Sequence, residues 1–277
     1  MTAFIPDHGW GPEGKRAALS ITFDNFGEAA WLEMGQWDGP VGDHFTAPFV
    51  PRLIETLGDV RATYFIEASN ATLYPQAIRA WHDAGNEVGL HAWRHEFWGR
   101  AAPERRRELL GRSMAAMRSI GIEPAGFRPP GGALPPGAWE EFEEVGLLYC
   151  SDAGGPGIQR VGNMLSLPFA WPHVDAFVIE ELAAPLRVAF GETPEPHDLN
   201  HWIANLDQAV DAAVAEGGQR TIIFHPEFLA IAEEKLEVVR HLIRRAQAAD
   251  MWIARARDVA LFVGEQIGLP HAQAVAA

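Results

Sequence analysis

The chain has 277 residues, enough to bury a large core and a normal length for one α/β barrel. With 48% apolar and 21% charged residues and no low-complexity tract or long like-charge run, its composition excludes a disordered protein. A formal charge of −15 argues against nucleic acid or an anionic membrane surface as partner, because both select basic patches.

In chain order, residues 1–10 show no cationic start followed by an apolar core, so no secretory signal is expected. Residues 17–23 read as a first strand, followed by a loop from Asn25 to about Ala47. A helix through Leu53, Ile54 and Leu57 comes next, stopped by Gly58. Residues 60–66 form a second strand. Pro75 opens a short helix that Gly85 closes, and residues 87–90 are a third, short strand. From Pro103 a helix carries Leu109, Leu110, Met114 and Met117 at helical spacing. Strand-like residues 125–127, a helix over 136–145 and the apolar run 147–151 follow, with an extended stretch at 164–167. The lone cysteine, Cys150, sits in the apolar run, which marks it as a buried inert thiol and rules out an internal disulfide. Residues 199–216 are a clear helix with Gly217 after it, and 221–224 is the most β-prone run of the chain. A charged helix over 233–249, a strand at 251–254 and a helix near 259–267 complete the pass.

Repeated β–α units with nearly continuous apolar strands imply a parallel sheet. The expected fold is α/β, a distorted (β/α) barrel of about seven parallel strands, in a single domain over 1–277. No apolar run is long enough to span a membrane, and with the reduced cysteine the chain is expected to be cytoplasmic.

Parallel barrels carry their chemistry in the loops at the carboxyl ends of the strands. Asp24, His91, Arg128, Asp152 and His225 each stand one step beyond an apolar strand, so all five are expected on one rim. A polar strand cap explains any one of them singly, and Asp152 most easily. The set together points to a functional site. His91-Ala92-Trp93-Arg94-His95 places two imidazoles four residues apart, where they can share a divalent metal. His197 and His201 have the same spacing but begin a helix with no strand before it. There, Asp198 or Asn200 is expected to cap the helix and the histidines to be solvated. His8, His82, His241 and His271 read as surface residues.

These segments resemble the polysaccharide deacetylase superfamily. Thr22-Phe23-Asp24 is similar to its first motif, His91-x-x-x-His95 to its second and Arg128-Pro129-Pro130-Gly131-Gly132 to its third. Tyr149-Cys150-Ser151-Asp152 is similar to its fourth, and Ile223-Phe224-His225-Pro226 to its last, the whole core covering about residues 17–255. Val41-Gly42-Asp43-His44-Phe45 and His225-Pro226-Glu227 further resemble the branch with intracellular peptidoglycan-deacetylase-like proteins and metal-independent allantoinases.

The resemblance implies a hydrolase of non-peptide amide C–N bonds with Asp24 as general base, Arg128 as its orienter and His225 as general acid. It further implies that His91 and His95 bind a divalent metal, most readily zinc. Substrate contacts are expected at Pro130 and Gly131 of the Pro-Gly-Gly turn, and at Asp152, Trp171 and His44, with His173 in a second loop that reaches the site. The chain departs from the family at the acidic metal ligand, directly after the base or two positions on, where Asn25 and Phe26 stand. Asn25 coordinates only as a neutral carbonyl, which leaves Glu28 or Asp24 itself as other carboxylate donors. Three readings stay open: a metal-assisted deacetylase of an N-acylated sugar or small amide, a metal-independent cyclic amide or ureide hydrolase, and an inactive carbohydrate binder using some of the ten tryptophans. The aromatic loop around Trp31, Trp37 and Phe45 suits either a lid or a homo-oligomer contact.

Overall fold

A computed structural model describes residues 4–155 and 157–270. Nine strands form one curled sheet: β1 (Ala17–Asp24), β2 (Thr63–Ile66), β3 (Glu87–Leu90), β4 (Gly126–Phe127), β5 (Tyr149–Cys150), β6 (Gln159–Val161), β7 (Met164–Ser166), β8 (Gln219–Phe224) and β9 (Met251–Ile253). The order is β6-β7-β5-β4-β3-β2-β1-β8, with β9 pairing the start of β1. All pairings are parallel except β6 with β7, so eight strands run one way where about seven were expected. No ladder joins β8 to β6 among the described residues, and the sheet is a half-barrel rather than a closed one.

β1 is the axis of this sheet. All eight of its residues are buried, because β2, β8 and β9 take its edges and helices cover the outside. The amphipathic helices Thr46–Leu57, Pro75–Asp83, Pro103–Ser119, Leu199–Glu216 and Glu233–Ala248 turn their apolar stripes onto the strands. Leu199–Glu216 starts where the Asp198 carboxylate accepts the His201 N–H at 2.8 Å and stops at Gly217, whose φ of 64° is left-handed. Trp81 fills the space between the outer helices and β1, edge-on to both Phe23 and Tyr64 at 5.5 Å. At β4 the strand spacing requires glycine, since a Cβ on Gly126 would fall 2.0 Å from the Tyr149 ring. No helix of the described residues is long and apolar enough to cross a membrane.

Candidate active site

Because the strands are parallel and in register, their carboxyl ends reach one rim together. Asp24 pairs with Phe65, Ile66 with Leu90 and Leu90 with Phe127, so the next residues of β2, β3 and β4 are Glu67, His91 and Arg128. With His225 after β8, the ends of β1, β3, β4 and β8 surround a cavity of about 360 Å³, and Glu67 is buried behind it. Asp24, Asn25, His91, His95, Arg128 and His225 line its floor. Its walls are mostly apolar, with Trp31, Phe97, Trp171, Leu186 and Phe228 among them.

Arg128 is the hub of the floor. It is 1% exposed, lies over the Phe65 ring at 4.1 Å, and donates to Asp24 Oδ1 at 2.5 Å, to Thr22 Oγ1 at 2.8 Å and to Ser151 Oγ at 2.9 Å. Such a buried pair is expensive to desolvate and justified only by good geometry, which a planar guanidinium on three acceptors provides. The second oxygen of Asp24 remains available to the cavity side, since Oδ1 alone takes the arginine.

His91 and His95 meet on the same floor with ring centroids 4.8 Å apart. The backbone between them is unusual: Ala92 and His95 have φ of 62° and 77°, a conformation that L residues adopt reluctantly and that fixes where the second ring points. His91 Nδ1 lies 2.9 Å from the Arg128 carbonyl, which holds the Nδ1–H tautomer and turns Nε2 free. Burial depresses both imidazoles to about 3, His91 further by the Arg128 charge and His95 by His91, so both are neutral and ready to donate a lone pair.

A third donor comes from β2. Ligand atoms of Glu67, His91 and His95 lie within 4.8 Å of one another. Three polar atoms in this quarter, Glu67 Oε1, His95 Nδ1 and Asn25 Oδ1, are buried without a hydrogen-bond partner. Buried polar groups are seldom left so, and the Glu67, His91 and His95 cluster fits a divalent cation. Burial pushes the Glu67 carboxyl well above its ordinary range.

His225 is set by a residue with no sequence signal of its own. Asp175, fully buried at the start of the short helix Asp175–Ile179, accepts the His225 backbone N–H at 2.6 Å and lies 2.5 Å from its Nδ1. A parallel bridge from Val174 to Ile223 brings it there. Burial alone would lower the imidazole. It is outweighed by the Asp175 charge and hydrogen bond, then by Asp24 and Glu227, and His225 rises to about 9. Glu227, also on the cavity, is pushed up by burial, with the Asn25 and Trp31 side chains against its carboxylate.

Not every expected contact reaches the cavity. Gly131, with φ of 73°, and Trp171 do line it; Pro130 is buried, and its neighbours Pro129, Gly131 and Gly132 form that wall instead. Asp152 caps β5 structurally, accepting the Ser166 hydroxyl of β7 at 2.6 Å. His44 is not at the site: its ring is buried between Thr46, Phe45 and Trp37 and serves packing. Nor does Glu28 reach in, because its two oxygens are taken by the Gly42 N–H and the Tyr74 hydroxyl. His173 faces a separate cavity with Arg220 and Asn205. Asp198 is the cap of its helix and His201 is exposed, as expected, while half-buried His197 contacts Glu192. His8 and His82 are exposed, His241 pairs with Asp207, and His271 lies outside the described residues.

Comparison with known proteins gives this arrangement a context. The family described as polysaccharide deacetylase matches residues 12–150. The peptidoglycan deacetylase-like protein FGM2 of Gibberella zeae is 26% identical over 162 residues, 53% of this chain and 47% of that one. The peptidoglycan-N-acetylglucosamine deacetylase PgdA of Listeria monocytogenes is 28% identical over 113 residues, 40% of this chain and 22% of that one. The chain thus spans about half the length, or less, of the curated relatives it matches. Among solved structures, a Mycobacterium smegmatis protein provisionally described as a polysaccharide deacetylase superposes with a TM-score of 0.78 at 24% identity over 96% of both chains. The PuuE allantoinase superposes with a TM-score of 0.71 at 21% identity over 94% of both. At these identities the likeness speaks for the fold alone.

Proposed function

The chain belongs to the polysaccharide deacetylase family, and from that premise we propose that it hydrolyses an amide C–N bond, releasing an acyl group from an N-acylated sugar or small amine. The observation that carries this reading is the pairing of two groups on one cavity, Asp24 held by Arg128 and His225 held by Asp175.

In this mechanism Asp24 takes a proton from the attacking water, whose oxygen adds to the acyl carbon. Arg128 donates to Asp24 Oδ1 and so fixes which oxygen faces the cavity. As the C–N bond breaks, His225 gives its proton to the leaving nitrogen, a role that its raised proton affinity supports. Asp175 holds the ring so that Nε2, not Nδ1, faces the substrate. His91 and His95 would hold a divalent metal, most readily zinc, which when bound polarises the acyl oxygen. A cavity of about 360 Å³ with apolar walls supports a small substrate with an apolar portion over an extended polymer chain.

A second reading, ring opening of a cyclic amide or ureide without metal, is favoured by the neutral Asn25 at the position of the family's acidic ligand. Acid release from N-acetylated sugars, N-acyl amines and cyclic ureides, each with and without exhaustive chelation, separates the two. Chelator-sensitive cleavage of linear amides supports the first reading. Ring opening that survives chelation overturns it, and binding of sugar without turnover of any amide overturns both.

A further inference from the structure

We infer that Glu67, the residue that follows β2, supplies the anionic ligand for a divalent metal together with His91 and His95, in place of the residue at position 25. The inference rests on reading this rim as the hydrolytic site.

The geometry argues for the move from both sides. Glu67 is fully buried, and one carboxylate oxygen is already anchored: Oε2 accepts the Phe26 N–H at 2.9 Å and Asn70 Nδ2 at 3.5 Å. That leaves Oε1 buried and without a partner, on a carboxylate with a ligand atom within 4.8 Å of those of both imidazoles. His95 presents an equally unpartnered Nδ1. Two imidazoles and one carboxylate are a donor set that zinc takes in catalytic sites, with a position left open. Position 25 has meanwhile acquired other work. Asn25 sits at φ of 60°, which asparagine tolerates better than most residues, its carbonyl accepts the Tyr64 hydroxyl at 2.6 Å, and its side chain lies against Glu227. A carboxylate there would face the Glu227 carboxylate. Moving the negative charge one strand over, onto β2, keeps it beside the histidines.

The test is zinc affinity, read by competition with a chromophoric chelator, so it requires no turnover. Glu67→Gln keeps the shape and the acceptor for the Phe26 N–H. It is expected to weaken zinc binding by roughly 100-fold or more, at or beyond the effect of losing an outer-shell partner of a metal site. Asn25→Ala should change affinity by less than about tenfold, since a neutral carbonyl adds little beside a carboxylate. In the Glu67→Gln background, Asn25→Asp should restore part of the loss. A wild-type chain that takes up no zinc, a Glu67→Gln variant that binds as tightly as wild type, or an Asn25→Ala loss as large as that of Glu67→Gln overturns the inference. Should Glu67→Gln fail to fold, a crystal structure of the zinc-loaded wild-type protein decides. Glu67 Oε1 is expected at ~2.0–2.2 Å from the ion, and an ion held by Asp24 in its stead overturns the assignment. Zinc held as described without amide cleavage would count against the proposed activity alone.

Discussion

Asp175→Asn isolates what the buried carboxylate does for His225. The substitution keeps the side-chain outline and removes the charge that opposes burial. With that charge gone, burial dominates and the imidazole returns to, or below, its ordinary value of 6.5. The interval from 6.5 to about 9 corresponds to roughly 3 kcal/mol of protonation free energy at ~1.4 kcal/mol per pH unit. The ring is 13% exposed, so solvent screening leaves most of that in place. A proton affinity raised on folding contributes stability that is complete below 6.5 and lost as pH rises through about 9. The pH-dependent gap in unfolding free energy between wild type and Asp175→Asn should therefore be widest near pH 6 and close above pH 9. The direct assay is NMR titration of the His225 ring nitrogens in chelator-treated protein, because a bound dication would itself lower the imidazole. The wild-type midpoint is expected near 9 and that of the variant at least two pH units lower, with the alkaline limb of the rate profile moving likewise. Coincident midpoints would show that Asp175 merely packs against the ring.

Arg128→Met removes one partner of a buried ion pair and strands the Asp24 carboxylate, which should cost ~3–5 kcal/mol of stability in urea unfolding. Cys150 is fully buried, with its thiol pushed well up by burial. It should resist a thiol reagent in folded protein and react stoichiometrically once urea has unfolded it. Asp198→Ala deletes the cap of the helix Leu199–Glu216 and should lower stability by ~0.5–2 kcal/mol without altering the rate profile.

How much of this fold could be read in advance depended on how local each determinant is. The helix Leu199–Glu216 has the expected ends because both punctuation marks, Asp198 and Gly217, act within one turn. β3 is likewise bounded as expected, between polar Asn86 and His91. The helices Asp175–Ile179 and Ala184–Ala189 were not anticipated. Five or six residues are too few to display a period of 3.6, and tertiary contacts hold them there. Leu182 and Leu186, which wall the cavity, belong to that stretch. β6 is half exposed and only three residues long, although the Gly162-Asn163 pair before β7 is a recognisable hairpin turn.

The rim shows the same division. Taking the ionisable residue after each apolar strand finds Asp24, His91, Arg128 and His225, all on the cavity, but it also selects Asp152, whose carboxylate is spent on Ser166. Strand order explains the difference: Asp152 follows β5, toward the open edge of the half-barrel and away from β1 and the cavity beside it. Applied to β2, the same rule names Glu67, one step after Ile66, so that signal was present in the chain. Nothing in the segment after Asp24 points to Glu67, because ladder pairing sets distance across a sheet whereas a motif records distance along the chain. Asp175 differs in kind. It follows no strand, and only the bridge from Val174 to Ile223 explains its meeting with His225. The residues that line the cavity from strand ends are therefore legible where the barrel rule reaches them. Those that hold them in place are not, since they arrive from segments whose position the sheet alone determines.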